Sequence, residues 1–539
     1  MKRGSPVIAL LLSLLFCGFS GAQETRNARE TAGPDLVLPG MVFRIEGLPP
    51  EDLEPVFPGE EPPTLPFPAP DPSLAPEPPI PGSIVEGDGV RDGSATRRTT
   101  ESSVFGRGTL GVGSMNGILG ELSVAKTGGD LRFRAAFSHD GADGFGFRSP
   151  GTGYFRRDDG VDAAFDMDIA GGTLAAGASY RETEEGLQRL SPVYSAVTRL
   201  VAADTALSLR PAEKVSLRVT GTGAFAGKTL TSPEATPPGI ERTGAEYSAA
   251  AGGAADYTAE THRLGLAVRY GLRFSPDRGD LSVRRFDAAA SGALFLPEGW
   301  SLDARAGVFW SGRDPLLPFT VGVSGRGGDL VTFGVRGGLR VCEYDYRELW
   351  KDLGLLGLQA ELKDGFAWFG EASVQGKTRD DRVRLSGRFE ALRREGALRL
   401  RDFDPAAASF PFSSEDMVSW IIGAEASFRL FSGFSVYGAG KTVLGDRAFL
   451  EAAHRWEPGV RFLSPTGKAG ASLSGVFDSG DGTATADLRF RGSLKPGEGL
   501  EFSLSAEDLL AALGKERRPR VPPFIGPGFR VMISTTVSF

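Results

Sequence analysis

Cysteine is nearly absent from this sequence, which contains two in 539 residues, Cys17 and Cys342. Cys17 lies in the N-terminal leader described below, so Cys342 is the one cysteine expected in the mature chain. A single cysteine excludes an internal disulfide, and with it the secreted folds that disulfides stabilise. Histidine is also scarce, since His139, His262 and His454 lie far apart without a cysteine or carboxylate at ligand spacing. We therefore expect no metal site and no cofactor.

Catalytic signatures are missing as well. No G-x-S-x-G nucleophile elbow occurs. The stretch 106–111 satisfies G-x-G-x-x-G, but no helical pattern follows it, and a dinucleotide site requires the N-terminus of a helix. Gly227 and Gly440 each precede Lys-Thr as in a phosphate loop, but neither has the glycine that this motif needs five positions earlier. We expect no enzymatic activity and no nucleic-acid partner.

Long apolar runs are confined to the first two dozen residues. Beyond them, no stretch of 18 positions is apolar enough to form a membrane-spanning helix. Lys2 and Arg3 precede the apolar run Val7–Phe19, and three small residues follow it before Gln23. This pattern predicts a secretory signal peptide at residues 1–22. Phe16 is bulkier than the residue that usually precedes a lipidated cysteine, which argues against a lipoprotein.

The next segment is rich in proline and acidic residues. Of the 36 prolines, 14 lie between Pro49 and Pro81, where they remove backbone donors and fix φ. Residues 23–102 carry 15 acidic and 6 basic side chains, a net charge of -9 against -8 for the whole chain. We expect residues 23–102 to form a disordered periplasmic tail or linker. Its apolar segments Leu36–Leu38 and Met41–Ile45 are expected to bind a periplasmic partner, to add a short strand, or to act only as linker.

From Ser103 onward, apolar and polar residues alternate with a period of two. In Arg263–Phe274 one face is entirely apolar, and the other carries three arginines among small residues. Such a polar face cannot pack in a dry core, so these strands are expected to separate hydrocarbon from water. The pattern predicts an all-β fold over residues 103–539, a transmembrane antiparallel up-and-down barrel. We count 22 strands, accept any even number from 16 to 22, and find Glu343–Gln375 the hardest stretch to assign.

The connections between the predicted strands alternate in length. Short turns such as Ala170–Gly172 and Lys495–Glu498 are interleaved with longer links such as Asp140–Arg157, Gly312–Gly328 and Glu395–Asp416. Outer-membrane barrels have short periplasmic turns and longer extracellular loops. The sequence therefore predicts a bacterial outer-membrane protein with its short turns in the periplasm.

Charged residues on the predicted lumen face are the candidates for solute selectivity. Their roles are either ion pairs across neighbouring strands or a dedicated substrate site, and even structural charges set the selectivity of a pore. The candidates are Arg132, Arg134, Arg218, Arg263, Arg269, Arg273, Arg305, Arg336, Arg340, Arg530 and Asp303.

Aromatic residues at strand ends are expected to contact the lipid bilayer at its interfaces. We assign Trp300, Trp310, Phe529 and Phe539 to this girdle. A terminal Phe resembles the C-terminal signature of bacterial outer-membrane barrels. The last strand, which ends at Phe539, is therefore expected to contact the outer-membrane barrel assembly machinery.

The C-terminal hairpin resembles that of the TonB-dependent receptor family. Glu507–Leu510 resembles the family's Asn-Leu-Phe segment, with Asp508 in place of Asn, and Pro527–Arg530 resembles its Pro-Gly-Arg entry into the last strand, with Phe529 inserted. This resemblance implies barrel architecture and an outer-membrane location, and the count of about 22 strands agrees with it. In that family a globular plug fills the barrel, whereas residues 23–102 are too few and too rich in proline to build one. We expect a barrel that lacks a full plug.

These features predict a channel or transporter-like pore for small polar solutes, which diffuse through a water-filled lumen whose arginines attract anionic groups. One alternative is TonB-dependent uptake, with the plug function supplied by the tail or by another chain. A second is a surface adhesin or receptor whose long loops bind a host or phage partner. Conductance would separate a pore from an anchor, and the sequence does not identify the solute.

Overall fold

The computed structural model describes residues 103–231, 240–276, 282–312, 314–357, 362–447, 451–480, 483–513, 519–521, 523–526 and 528–539. The predicted signal peptide and tail, residues 1–102, lie outside the described residues. In the described part of the chain, no helix is both long enough and apolar enough to cross a membrane.

Twenty-two strands form one closed antiparallel sheet, which confirms the predicted fold class and strand number. The first eleven are β1 Ser103–Gly113, β2 Gly117–Thr127, β3 Leu131–Asp143, β4 Phe155–Ile169, β5 Gly172–Gly186, β6 Ser195–Ala212, β7 Val215–Thr231, β8 Ile240–Thr258, β9 His262–Phe274, β10 Ser282–Phe295 and β11 Ser301–Trp310. They are followed by β12 Phe319–Gly327, β13 Val331–Cys342, β14 Gly365–Lys377, β15 Val383–Leu400, β16 Phe412–Phe431, β17 Phe434–Gly445, β18 His454–Leu463, β19 Ala469–Gly480, β20 Thr483–Gly497, β21 Leu500–Glu507 and β24 Arg530–Ser538. Each barrel strand pairs with the barrel strands before and after it in the chain.

Short elements lie in the connections. They are the 3-10 helices Phe145–Phe147 and Pro297–Gly299, the α-helices α1 Tyr346–Asp352 and α2 Leu509–Leu513, and the strands β22 Pro519–Val521 and β23 Phe524–Ile525, which pair with each other.

Strand β9 shows why the sequence folds into a barrel wall. Leu264, Leu266 and Val268 are 49 to 64% exposed although they are apolar, and they share one face of the strand. Arg273, on the opposite face, is buried and paired with Glu246 of β8. A strand that exposes its apolar residues and pairs its charged ones is suited to hydrocarbon outside and water inside. The barrel is therefore that of an outer-membrane protein, as predicted.

The barrel closes between β1 and β24. Their register runs from Arg107 opposite Ser538 to Gly113 opposite Met532. Below this ladder, the Gly106 amide donates to the Phe539 carbonyl at 2.7 Å and the Phe539 amide donates back at 2.9 Å. The C-terminal residue thus lies on the first strand, and the closed sheet has no free edge.

Several strands are longer than the sequence predicted. The expected link Asp140–Arg157 overlaps the ends of β3 and β4, and the expected link Gly312–Gly328 contains all of β12, so this second assignment was wrong. Above the apolar belt, charged pairs replace apolar residues on the outer face of the wall, for example Arg199 with Glu182 at 2.7 Å. The alternating apolar signal ends there, whereas the backbone pairing continues.

The turns and loops lie on two different rims. Ten short turns, such as 170–171 and 498–499, lie at the rim that contains Ser103 and Phe539. The longer loops, such as 187–194 and 401–411, lie at the opposite rim, where a tight connection also occurs at 114–116. We call these ends the short-turn rim and the long-loop rim. Among the described residues, the largest buried apolar cluster lies where loops of the long-loop rim meet the wall.

Candidate functional site

The predicted lumen arginines lie on the face opposite the exposed apolar residues. Most of them are held by carboxylates, as expected for ion pairs that line a wet wall. Eight of the ten arginines pair in this way: Arg132 with Asp166 and Asp168, Arg263 with Asp256, Arg269 with Glu343, Arg273 with Glu246, Arg305 with Asp287, Arg336 with Glu371, Arg340 with Glu390, and Arg530 with Asp140. Their charge is therefore largely neutralised in the wall.

The other predicted lumen residues lie apart from one another. Within the described residues, no ion pair is recorded for Arg134 of β3 or Arg218 of β7, and the Arg218 Nε is buried without a hydrogen-bond partner. Asp303 of β11 lies beside Gly322 on β12, where an added Cβ would stand 2.7 Å from its carboxylate. The structure therefore does not gather the predicted residues into one site.

The girdle residues lie at the ends of strands. Trp300 immediately precedes β11 at the short-turn rim and packs edge-to-face on Phe333, with ring centroids 4.9 Å apart. Trp310 ends the same strand near the long-loop rim. Phe529 precedes β24 and Phe539 follows it, the latter 80% exposed. Their contact with the bilayer interfaces stays a prediction.

Two loops of the long-loop rim fold together into a compact body. We call residues 343–357, 362–364 and 401–411 the cap. The Gly357 amide donates to the Phe410 carbonyl at 2.8 Å, and the Phe410 amide donates to the Leu355 carbonyl at 2.9 Å, which joins the two loops as short parallel strands. The Trp350 indole donates to the Leu356 carbonyl at 2.9 Å. Trp350, Leu355, Leu356 and Phe410 are each at most 2% exposed.

The cap packs against the lumen face of a distant part of the wall. Its apolar cluster includes Ala196 and Leu200 of β6 and Ala226 and Leu230 of β7. These four residues pair across the two strands, Ala196 with Leu230 and Leu200 with Ala226, so they share one face. The register through β8 and β9 puts this face on the side of Glu246 and Arg273, away from the exposed apolar residues. The cap therefore lies inside the barrel outline.

Two further loops join the cap. The Gln188 side chain donates to the Ile525 carbonyl and accepts from the Ile525 amide, both at 2.9 Å. Phe524 is 2% exposed and packs edge-to-face on Phe403 of the cap, with ring centroids 4.9 Å apart. Loops that follow β5, β13, β15 and β21 thus meet in one cluster, which constrains several loops together.

Charged residues of β8, β9 and β10 hold the cap loop to the wall. Arg285 donates to Asp364 at 2.8 Å, to the Tyr344 carbonyl at 2.8 Å and to Glu343 at 3.3 Å. Arg273 donates to the carbonyl oxygens of Tyr344 and Leu362. These cations satisfy backbone carbonyls that α1 and its flanks leave without partners in the lumen.

The remaining anchors are similar. The Glu246 carboxylate accepts from the Tyr346 amide at 3.0 Å, and the Lys228 ammonium donates to the Leu356 carbonyl at 3.3 Å. At the start of α1, Asp345 accepts from the Glu348 amide and so caps the helix. Burial raises the pKa of the Tyr344 phenol, which therefore stays protonated. The cap is thus held by buried charge-assisted hydrogen bonds as well as by apolar packing.

A shallow, partly open recess lies beside these anchors. The small residues Thr222, Ala250 and Gly271 form part of its wall, with Arg269 and Phe309 among its other lining residues. Small side chains leave space beside the wall, while charged and aromatic ones offer polar and apolar contacts. The recess is therefore a candidate place for a small polar group to contact the wall.

Sequence reasoning missed the cap. The stretch Glu343–Gln375 has no dyad pattern, which made its strands hard to assign. Trp350 and the three leucines that follow at 353, 355 and 356 form a dense apolar group within a connection between wall strands. An apolar group in a loop that faces water indicates packing, but its partner on β6 and β7 lies more than a hundred residues earlier and has no local signal.

No family model and no curated protein matches the chain. Solved structures do match it. The ferric enterobactin receptor of Pseudomonas aeruginosa aligns with a TM-score of 0.62 at 11% identity over 81% of this chain and 80% of that chain. The copper transporter OprC gives 0.62 at 13% identity over 82% and 81%. The FrpB iron transporter of Neisseria meningitidis gives 0.61 at 11% identity over 82% and 82%.

These likenesses concern the barrel. Residues 103–539 make up 437 of the 539 residues, about the share of the chain that aligns. The barrel has the fold of these receptors and transporters, in agreement with the resemblance of the C-terminal hairpin to that of TonB-dependent receptors. At this level of identity the likeness shows the fold.

Proposed function

We propose that this chain is an outer-membrane transporter that moves small polar solutes through the lumen of its barrel, with the cap controlling the mouth at the long-loop rim. The barrel type supports transport, since the similar structures are receptors and transporters of metal or siderophore. The predicted acidic tail, residues 23–102, would then lie on the periplasmic side.

The observation that carries the proposal is the span of the cap. Its two loops leave the wall at β13–β16 and pack on β6 and β7, so the cap joins strands that are six to ten positions apart in a ring of 22. With strands about 4.8 Å apart and tilted about 40°, such a ring is roughly 45 Å across between backbones. A loop that crosses this distance inside the barrel narrows the path of any solute.

Passage of a solute requires the cap to move or to leave a gap beside the wall. The recess at Arg269 and Phe309 lies next to the contacts of Arg285 with Glu343 and Tyr344. A solute that carries a carboxylate or phosphate can compete with Glu343 for Arg269, whose present contact with Glu343 is long at 3.7 Å. Binding of the solute would then be coupled to release of the cap at the contact between Glu343 and Arg269.

Energised uptake is the second candidate function. It is favoured by the fold shared with an iron transporter and a copper transporter, and by a ring of 22 strands, a size at which known transporters carry a plugged lumen. In this reading residues 23–102 or another chain supplies the plug and the coupling to an energy source. Our first proposal instead gives control to the cap and expects no full plug.

Bilayer conductance of the refolded full-length protein tests the proposal. We expect discrete channels that open and close, because a packed cap gives a gated rather than a constant opening. A protein that assembles as a barrel, binds metal chelates and stays silent would favour energised uptake. A silent barrel whose loops bind cells or phage, and which releases no solute from proteoliposomes, would favour the adhesin function.

A further inference from the structure

Three lumen arginines differ from those that form ion pairs. They are Arg429 of β16, Arg461 of β18 and Arg491 of β20. For the described part of the chain, the structure records neither an ion pair nor a side-chain hydrogen bond for any of them. Asp381, in the turn before β15, interacts with Arg429 at longer range, but its carboxylate is held by Arg384. These three guanidinium groups are available to a ligand.

The strand register places the three arginines in one row. Arg429 lies opposite Ser435 of β17, which lies opposite Arg461. Arg461 lies opposite Ser472 of β19, which lies opposite Arg491. Arg491 lies opposite Ser505 of β21. Directly opposed residues of antiparallel strands share a face, so arginine and serine alternate across six neighbouring strands.

The adjacent row fixes the side on which this one lies. One residue away in each strand, the opposed residues are Phe428, Val436, Val460, Leu473, Phe490 and Ala506. Phe428 and Leu473 are 40% and 39% exposed, as expected for residues that contact lipid. The row of arginine and serine therefore faces the lumen.

The row rises along the barrel axis. Arg429 lies three positions before Ser432 in the turn after its strand, Arg461 three before Ser464, and Arg491 seven before Glu498. At about 3.4 Å per residue and a strand tilt of about 40°, four extra residues raise Arg491 by roughly 10 Å above the short-turn rim. The row thus forms a ramp from that rim toward the middle of the lumen.

The spacing suits an anion that passes from one arginine to the next. Arginines on alternate strands have Cα atoms about 10 Å apart, so two long side chains can reach the same anion. Guanidinium binds oxyanions through paired hydrogen bonds, and the serine between each pair adds a hydroxyl donor without filling space. An anion shared by Arg429 and Arg461 can reach Arg491 without losing all of its contacts.

We propose that the row formed by Arg429, Ser435, Arg461, Ser472, Arg491 and Ser505 is a track that binds small oxyanions, of the phosphate or carboxylate type, and guides them along the lumen wall. This proposal deepens the proposed function, because a track serves transport only if solutes traverse the barrel. It assigns the guidance of anions along the wall to Arg429, Arg461 and Arg491, whereas Arg269 would contact an anionic solute only at the edge of the cap.

Phosphate binding tests the track without needing an open pore. Equilibrium dialysis would measure the affinity of the full-length protein in detergent for inorganic phosphate. The wild type is compared with the row variant R429Q/R461Q/R491Q. Its affinity should fall by about tenfold or more, because charge-assisted hydrogen bonds are lost. The control R132Q/R336Q/R340Q removes the same charge from paired arginines and should change affinity less than about twofold by the same argument. A heat-modifiable gel shift confirms that each variant is folded.

The possible outcomes separate the track from transport. If both triple variants weaken binding equally, net charge explains the effect and the track is wrong, as it also is if the row variant binds like the wild type. The ratio of anion to cation permeability in bilayers then tests whether the track serves transport. This ratio should fall in the row variant alone. Loss of phosphate binding in a barrel that never conducts or releases solute would keep the anion site and overturn the proposed transport. Conductance with unchanged ion selectivity in the row variant would support transport through the barrel and overturn the track.

Discussion

At the scale of single residues, this protein separates side chains by solvent and then pairs the charged ones. The alternation in β9 was readable from the sequence, since Leu266 and Arg269 belong to opposite faces in any register. Which carboxylate holds which arginine was not readable. Arg273 meets Glu246 because β8 and β9 align in one register, and Arg285 meets Asp364 through a loop 79 positions away. Such partners depend on tertiary structure, so sequence reasoning treated all lumen arginines alike.

The face assignment predicts unequal effects of two changes in β9. Leu266→Arg places a charge in hydrocarbon near mid-depth and should destabilise the barrel by about 2 to 4 kcal/mol. Arg269→Ser removes a side chain that is 56% exposed in the lumen and should leave assembly nearly intact. Urea titration of the refolded variants in detergent or lipid measures both. Equal stability of the two variants would show that the faces are wrongly assigned.

The anchors of the cap predict a local effect. Arg285→Gln removes the cation that pairs with Asp364. The two side chains are 15% and 3% exposed, and breaking a buried pair typically costs about 3 to 5 kcal/mol. The cap should loosen while the barrel persists. Trypsin cleaves after Arg347 and Lys351, both in α1, and the rate of this cleavage should rise when the cap loosens.

The control for that experiment is Arg336→Gln. Arg336 pairs with Glu371 at 2.8 Å within the wall and is not an anchor of the cap. Cleavage in α1 should proceed at the wild-type rate in this variant. Faster cleavage in both variants would indicate a general loss of stability, and unchanged cleavage in Arg285→Gln would show that Arg285 does not hold the cap.

At the scale of elements, the strands were predictable and the loops were not. Period-two alternation located the wall strands wherever lipid faces one side, and it ended where strands such as β3 and β4 rise above the apolar belt. The track in the lumen needed the register of six strands. Nothing in the sequence aligned Arg429, Arg461 and Arg491 with one another, because register is a property of strand pairs.

The seam between β1 and β24 predicts a sensitive glycine. A Cβ at Gly113 would lie 2.4 Å from the Val531 carbonyl oxygen, which belongs to the backbone and cannot rotate away. Gly113→Val should therefore distort the closing pair, at a cost of about 1 to 3 kcal/mol, and reduce the folded fraction on unheated gels. Gly223→Val is the matched control, because a Cβ at Gly223 meets no atom within 4 Å. Equal folded fractions for the two variants would contradict this view of the seam.

At the scale of the whole molecule, the barrel type and the location were predictable, because both follow from the repeated strand pattern and the C-terminal hairpin. The open lumen expected from the sequence did not include a cap. The cap depends on one apolar loop that finds a wall patch formed by β6 and β7, so it emerges only when the ring closes. This contact supports the proposed gated passage in place of the free diffusion expected from the sequence.

Deletion of the tail separates two sources of gating. Removal of Gln23–Arg98 should leave a folded barrel whose conductance changes by a small factor, because the cap stays in place at the long-loop rim. Single-channel recordings of the full and shortened chains measure this. A shift from a silent protein to a large constant pore would assign the gate to the tail, with Met41–Ile45 as the first segment to examine.

The most direct test of the account is a reversible lock on the cap. An ideal Cβ at Gly354 of the cap lies 3.8 Å from the Thr198 Cβ of β6, the usual separation in a disulfide. In a Cys342→Ser background, Thr198→Cys with Gly354→Cys should therefore tie the cap to the wall under oxidising conditions. Single-channel conductance should be suppressed when the disulfide is formed and restored by reduction. In each single-cysteine variant, the conductance should be the same under oxidising and reducing conditions. Equal conductance in the oxidised and reduced states, with the disulfide confirmed by mass, would contradict control of the lumen by the cap.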